Sequence, residues 1–182
     1  MDVMAWSIAC RMQPAAKSVI GRIVVALFLS RFDNRVDRKG RVSVPASFRA
    51  DLTADVFAGV VVFPSPSTSG AIDGCDIGRM KQLAEGIDTF NPFSAEYGDL
   101  ATAILTKSHR LPFDGEGRII LPQPLLEHAG ITNMATFAGR GATFQIWAPE
   151  AYRVYEVEAT ERAKEQAAKF ELQRRDMMGA GE

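Results

Sequence analysis

The sequence predicts an α+β fold organised around an internal repeat, and three observations carry that prediction. The stretch from Phe32 to Arg49 returns in edited form from Arg110 to Leu126. In both copies an alternating apolar strand follows an Asp-x-x-Gly-Arg turn and ends on a proline suited to opening a short helix. Stretches of helical periodicity lie between the copies and after the second one.

Sliding the first copy onto the second superposes Asp37 on Asp114, Gly40 on Gly117, Arg41 on Arg118 and Pro45 on Pro122. Val36, Val42 and Val44 fall on Phe113, Ile119 and Leu121, so the apolar positions repeat as well. Each conserved type has a local task. Asp37 and Asp114 can accept hydrogen bonds from their own turn, and Gly40 and Gly117 supply a positive φ where a side chain would clash. Arg41 and Arg118 then emerge beside the hairpin tip. The predicted unit is strand, turn, strand, short helix.

The 182 residues suffice for one sizeable domain, and two repeats sharing one core fit that length. Hydrophobic residues make up 47% and charged residues 24%, the balance of a soluble globular chain. The two cysteines, Cys10 and Cys75, have no metal-ligand spacing and form no framework of bridges, which fits a reducing compartment. The formal net charge is −1, so any nucleic-acid contact must come from a local patch rather than a broad positive field.

Residues Met1 to Val25 differ in character from the rest and lead into the apolar run Ile23 to Leu29. Arg22 interrupts the apolar region and no small-x-small cleavage site is evident, which argues against a secretory signal. The run is also far shorter than the roughly 20 apolar residues of a membrane span. The expectation is a loosely ordered extension, as a start codon assigned too early would produce, with the end of the run as the first strand.

From Arg31 to Asp51 stand six bases, Arg31, Arg35, Arg38, Lys39, Arg41 and Arg49, against three acids. A charge run of this kind ordinarily marks a solvated face. Here, however, the arginine at position 41 is restored at 118, although Arg38 and Lys39 have become Gly115 and Glu116. That restoration points to a position with a task.

Phe57 to Phe63 reads as a buried strand, followed by a Pro/Ser/Gly loop and a short strand around Cys75 to Ile77. In the second copy the equivalents are Ala135 to Ala138, a tight turn at Gly139 to Gly141, and Thr143 to Trp147. Helices are expected near Gly78 to Ile87 and from Ser94, a suitable N-cap, to Lys107, where Tyr97, Leu100, Ala101, Ile104 and Leu105 share one face. A long helix follows Ala148, with Tyr152, Tyr155, Ala159, Ala163, Ala167 and Phe170 in one stripe flanked by Glu158/Arg162 and Glu165/Lys169 pairs. Residues 177–182 are expected to fray.

Catalytic and metal readings are thin. His109 and His128 are the only histidines, and neither has a nucleophile–base–orienter set around it. Cys75 sits at a buried-looking strand position that favours packing over nucleophilic chemistry. Asp73, Cys75 and Asp76 are too crowded in sequence for a tetrahedral metal site.

With its two Asp-x-x-x-Arg motifs, Asp37 to Arg41 and Asp114 to Arg118, the chain resembles the MraZ family of transcriptional regulators of bacterial division and cell-wall gene clusters. The likeness extends through Asn34 to Pro45, Asp73 to Cys75, Gly117 to Pro122 and Phe144 to Trp147, covering roughly Phe28 to Tyr155. It implies two AbrB-like swapped-hairpin repeats forming one barrel-like domain, with intervening helices and a long C-terminal helix. On that basis residues 1–26 are a non-family extension, 27–77 the first repeat, 78–107 a helical connection, 108–148 the second repeat and 149–182 the C-terminal helix and tail. The family pattern begins close to Phe28, and Glu116 departs from it by replacing a typical hairpin base.

The function the resemblance implies is sequence-specific binding of double-stranded DNA, at short repeated promoter boxes of the protein's own operon, by a ring-like homo-oligomer acting as a repressor. The expected location is cytoplasmic and nucleoid-associated. No cofactor, metal, small-molecule ligand or membrane is called for. Arg41 is the expected reader, Arg118 a further DNA-binding residue, Arg35, Arg38 and Lys39 the phosphate contacts, and Asp37, Gly40, Asp114 and Gly117 the turn-shaping residues. Two rivals share the scaffold: an AbrB-type antitoxin, which ordinarily has one repeat and completes its barrel by dimerising, and a structural ring protein whose hairpins touch protein.

Overall fold

The computed structural model describes residues 26–52 and 57–179, with side chains given except at 165 and 168–179. The expectations for residues 1–25, Phe170, the Glu165/Lys169 pair and the last three residues lie outside what it describes.

The architecture is α+β. Among the described residues eight strands run in chain order: β1 (Arg31–Arg35), β2 (Arg41–Ser43), β3 (Gly59–Pro64), β4 (Ile72–Cys75), β5 (His109–Pro112), β6 (Arg118–Ile120), β7 (Met134–Gly139) and β8 (Phe144–Trp147). Five α-helices accompany them: α1 (Ala46–Leu52), α2 (Ile77–Ile87), α3 (Ala95–Leu100), α4 (Gln123–Ala129) and α5 (Pro149–Gly179). A π-helical segment, Ala101–Thr106, continues α3.

Six strands form one antiparallel sheet in the order β1-β7-β8-β4-β3-β5, and β2 and β6 form a separate two-stranded ribbon. Exchanging the copies turns β1 into β5, β7 into β3 and β8 into β4, so the order reads the same from either end. An approximate twofold therefore runs between β8 and β4. It also passes through the ribbon, where Val42 faces Ile119, its own counterpart in the repeat.

The connections cross between copies. β1 pairs with β7, β5 with β3, and β2 with β6, while between β1 and β2 there is no ladder, just the bridge Val36 to Val42 beyond the end of β1 and a bond from Asn34 Nδ2 to the Ser43 carbonyl at 2.7 Å. The large sheet does not close: β1 and β5 are its free edges. Barrel-like closure, expected from the resemblance, is thus absent from the sheet, because the chain leaves each edge through a turn and pairs its next strand in the ribbon instead.

The core follows from which faces are covered. Val60 and Val62 point into a large cluster with Phe28, Val42, Phe48, Ile119, Leu121, Leu125, Phe137 and Phe144. Val61 and Phe63, on the opposite face of the same strand, join Cys75, Met80, Ile87 and Ile104. A strand covered on both faces reads as an unbroken apolar run, which explains the sequence of β3. Phe28, Phe48, Phe137 and Phe144, drawn from both copies, interlock at ring separations of 5.0–6.1 Å. Over the first copy's strands the second face of the sheet is covered by α2 and by the π-helical segment that continues α3. In the second copy, Trp147 stacks on Tyr155 of α5 at 4.9 Å and meets Tyr152 at 6.0 Å.

Several local expectations shift. Among the described residues of the apolar run only Phe28 pairs, in a single bridge to Gly141, and the first named strand begins at Arg31. The strand expected at Cys75 to Ile77 spans Ile72–Cys75, because Asp76 accepts from the Arg79 N–H and starts α2 there. Pro45 and Pro122 stand just outside their helices rather than in the first turn: Pro122 is the N-cap, extended at ψ 143°. Ser94 caps α3 as expected, accepting from the Tyr97 N–H.

Candidate nucleic-acid interface

The two turns are built alike, and a single aspartate organises each. In the first, Gly40 N–H donates to the Asp37 carbonyl at 2.9 Å and Asp37 N–H to the Arg41 carbonyl at 3.0 Å. The second repeats this with Gly117 to Asp114 at 3.0 Å and Asp114 to Arg118 at 2.9 Å. This closure needs a left-handed residue in the glycine position, and Gly40 and Gly117 have φ of 76° and 72°.

Each aspartate also binds the turn with its side chain. Asp37 Oδ1 accepts from the N–H groups of Lys39 (2.8 Å) and Arg41 (2.9 Å), while Oδ2 accepts from Arg41 Nε at 2.6 Å. Asp114 does the same for Glu116 and Arg118, both at 2.9 Å, and for Arg118 Nε at 2.8 Å. A carboxylate that accepts several N–H bonds is stabilised in its charged form. The Arg118 backbone N–H, followed by its side chain, holds the Asp114 carboxyl down at about 2, and the Arg41 backbone N–H leads the causes that lower Asp37. One oxygen of each aspartate shapes the backbone and the other aims the arginine.

The ribbon brings the two arginines to one place. Arg41 stands opposite Ile120 and Ser43 opposite Arg118, so these four side chains share a face, while Val42 and Ile119 are fully buried beneath. Arg41 and Arg118 are diagonal neighbours, a separation of about 7–8 Å between backbones in such a pair. The ends are tied symmetrically, Leu121 N–H to the Gly40 carbonyl at 2.9 Å and Val44 N–H to the Gly117 carbonyl at 3.2 Å.

The surroundings are not symmetric. Arg38 and Lys39 of the first turn are exposed, as is Arg35 at the end of β1, and none of the three makes an ion pair among the described residues. In the second turn Glu116 Oε2 lies 2.7 Å from Arg118 Nη1, so that guanidinium meets two carboxylates. Arg49 of α1 reaches across the copies to donate from Nη1 to the Glu116 carbonyl at 3.1 Å.

Three residues therefore acquire roles the sequence did not assign. Arg49 braces the second turn, yet its position in the repeat is matched by Leu126, so no repetition marked it. Leu126 lies over the first turn, within reach of any side chain placed at Gly40. Arg31, counted in the basic run, is instead bound to Glu156 of α5 at 2.8 Å with its guanidinium over Tyr152.

The remaining chemical candidates lie apart from this face. Cys75 is fully buried, and burial pushes its thiol up to about 12. Asp73, which neighbours it in sequence, accepts from Gln145 Nε2 at 2.7 Å across the β4–β8 seam. His109 is exposed on β5, and His128 donates from Nε2 to the Ala71 carbonyl at 3.1 Å. No group of three metal-ligating side chains occurs among the described residues, and no described helix is long and apolar enough to cross a membrane.

Comparison with known proteins gives one family and consistent relatives. The family model described as "MraZ protein, putative antitoxin-like" matches residues 104–175. A protein of Pelagibacter ubique called Transcriptional regulator MraZ is 44% identical over 137 residues, 75% of this chain and 88% of the relative. Proteins of the same name from Rickettsia rickettsii and Rickettsia bellii are 45% and 41% identical over 129 and 140 residues. Those alignments cover 71% and 76% of this chain, and 86% and 93% of the relatives.

Proposed function

Because the chain belongs to the MraZ family, whose members compared above are named as transcriptional regulators, we propose that it is a DNA-binding transcriptional regulator that contacts DNA through the exposed face of the β2–β6 ribbon and its first turn. The observation that carries this reading is the pairing of Asp37 with Arg41: one carboxylate orders the turn and presents a guanidinium beside Arg38 and Lys39, which have no acidic partner among the described residues. A bidentate arginine suits the O6/N7 edge of guanine. Arg41 reads a base, Arg35, Arg38 and Lys39 contact phosphates, and Arg118 adds a second, weaker contact.

The cross-copy pairing of β2 with β6, and of β1 and β5 with strands of the other copy, supports treating residues 27–77 and 108–148 as two AbrB-like swapped-hairpin halves. A protein of net charge −1 that offers a few phosphate contacts binds weakly alone, since each neutralised phosphate contributes only about 0.9 to the salt slope. Assembly into a ring-like homo-oligomer overcomes this, because several identical turns engaging successive promoter boxes gain roughly 10²–10⁴ in avidity. Repression of its own operon follows from covering the promoter, in the cytoplasm and at the nucleoid. This function uses no cofactor, and the relatives' name describes a regulator rather than an enzyme.

Fluorescence anisotropy with the DNA upstream of the protein's own operon, against a scrambled duplex at two salt concentrations, tests the reading. Preferential, salt-sensitive binding is expected. Equal and feeble binding to both duplexes would move the structural-ring alternative to the front, and capture of a small toxic partner would favour the antitoxin.

A further inference from the structure

Resting on the reading of the ribbon face as the DNA contact, we propose that Glu116 sets the division of labour between the two turns, by holding the Arg118 guanidinium that a DNA phosphate would otherwise take. The two turns have the same backbone and the same aspartate-to-arginine bond, so their difference in charge is what an approaching polyanion meets. The first turn sets one acid, Asp37, against three bases, Arg38, Lys39 and Arg41. The second sets two acids, Asp114 and Glu116, against one base, Arg118.

Geometry makes that inversion effective. Arg118 donates from Nε to Asp114 and lies with Nη1 2.7 Å from Glu116 Oε2, so carboxylates occupy two sides of its fork. Arg41 has the aspartate on Nε and, in the place of Glu116, a lysine that repels rather than binds a guanidinium. A phosphate reaching Arg118 must displace the Glu116 carboxylate or sit beside it, and like charges at contact distance oppose this, modestly at so exposed a site.

The Glu116 side chain is 70% exposed, and exposed ion pairs add little to folding. Its contribution to the turn comes through its backbone, whose N–H donates to Asp114 and whose carbonyl accepts from Arg49. Changing the side chain therefore leaves the turn intact while releasing the guanidinium. The result is one protein with a strong and a weak DNA-contacting turn side by side, so each subunit presses one turn of the pair into the DNA.

The test compares wild type, Glu116→Gln, Glu116→Lys, Arg118→Ala and the double variant Glu116→Gln/Arg118→Ala on the upstream duplex across a salt series. Circular dichroism and oligomeric state serve as checks on folding. Glu116→Gln is expected to tighten binding severalfold at low salt and steepen the dependence of log K on log salt by up to about 0.9 per engaged subunit. Glu116→Lys should exceed it. The Glu116→Gln gain should vanish once Arg118 is alanine. An unchanged slope would overturn the proposal, as would an equal gain in the Arg118→Ala background, which would reveal a long-range charge effect alone. Arg41→Ala, run in parallel, separates the two readings: its failure to weaken binding contradicts the first turn as reader, while the Glu116 series still reports on Arg118.

Discussion

The first turn, Asp37 to Arg41, and the second, Asp114 to Arg118, share hydrogen bonds almost atom for atom and differ in what surrounds them. The first is overlain by Leu126 and presents Arg38 and Lys39 to solvent. The second is braced from behind by Arg49 and neutralised from within by Glu116. Backbone form and surface charge have thus separated between the copies: the aspartate and glycine preserve the shape, and two loop residues decide the sign of the charge it presents. Duplication in one chain permits this, since the halves can change independently while sharing a core.

The largest effect should come from challenging that shared core. Phe48 is buried against Phe28 and Phe144, at ring separations of 5.1 and 5.4 Å, and its loss should cost about 3–5 kcal/mol. Because the cluster draws on both copies, Phe48→Ala should lower the urea midpoint and still unfold both turns in one transition. Separate transitions for the halves would break the comparison by making them independent.

Alanine at the two glycines comes next. Each has a positive φ that costs about 1–2 kcal/mol for a residue with a Cβ. At Gly40 the new carbon would also stand 2.7 Å from the Leu121 carbonyl oxygen, part of the ribbon backbone, whereas at Gly117 it would meet the movable Arg49 side chain. Gly40→Ala should therefore destabilise more than Gly117→Ala in denaturant titrations. Arg49→Ala should weaken the second turn selectively, by about 1 kcal/mol.

The smallest effect is confined to strong acid. Asp114 has its carboxyl lowered to about 2 from an ordinary 3.8, so its turn contacts stabilise fully above 3.8 and are lost as pH falls through about 2. The amide protons of Glu116 and Arg118, which donate to it, should titrate in NMR with a midpoint near 2. Asp37 should report a midpoint below 3.8 through Lys39 and Arg41. Ordinary midpoints would mean that the aspartates do not order the turns.

Much of this was legible in the chain. Asp, Gly and Arg at fixed spacing announce a turn because each has a local physical task, and Ser94 announces a helix start for the same reason. Partnership was less legible. Alternation at Val42 to Val44 says that one face is buried but not which strand lies alongside, so the departure of β2 from β1 to β6 has no local signature. Arg31 and Arg49 show the same limit: both belong to the basic run by composition, and contacts 125 and 67 residues away assign them to α5 and to the second turn. Charge runs report sign, while the fold decides which charges remain available.

The divergence of the two turns is tested most directly by measuring operator binding of Arg41→Ala and Arg118→Ala side by side, at matched oligomeric state and salt. Loss of a bidentate base contact is worth about 1–3 kcal/mol, so Arg41→Ala should weaken specific binding roughly 5- to 150-fold. Arg118→Ala, losing a guanidinium already held by two carboxylates, should change it only a few-fold. Equal losses, or a greater loss at Arg118, would contradict the account.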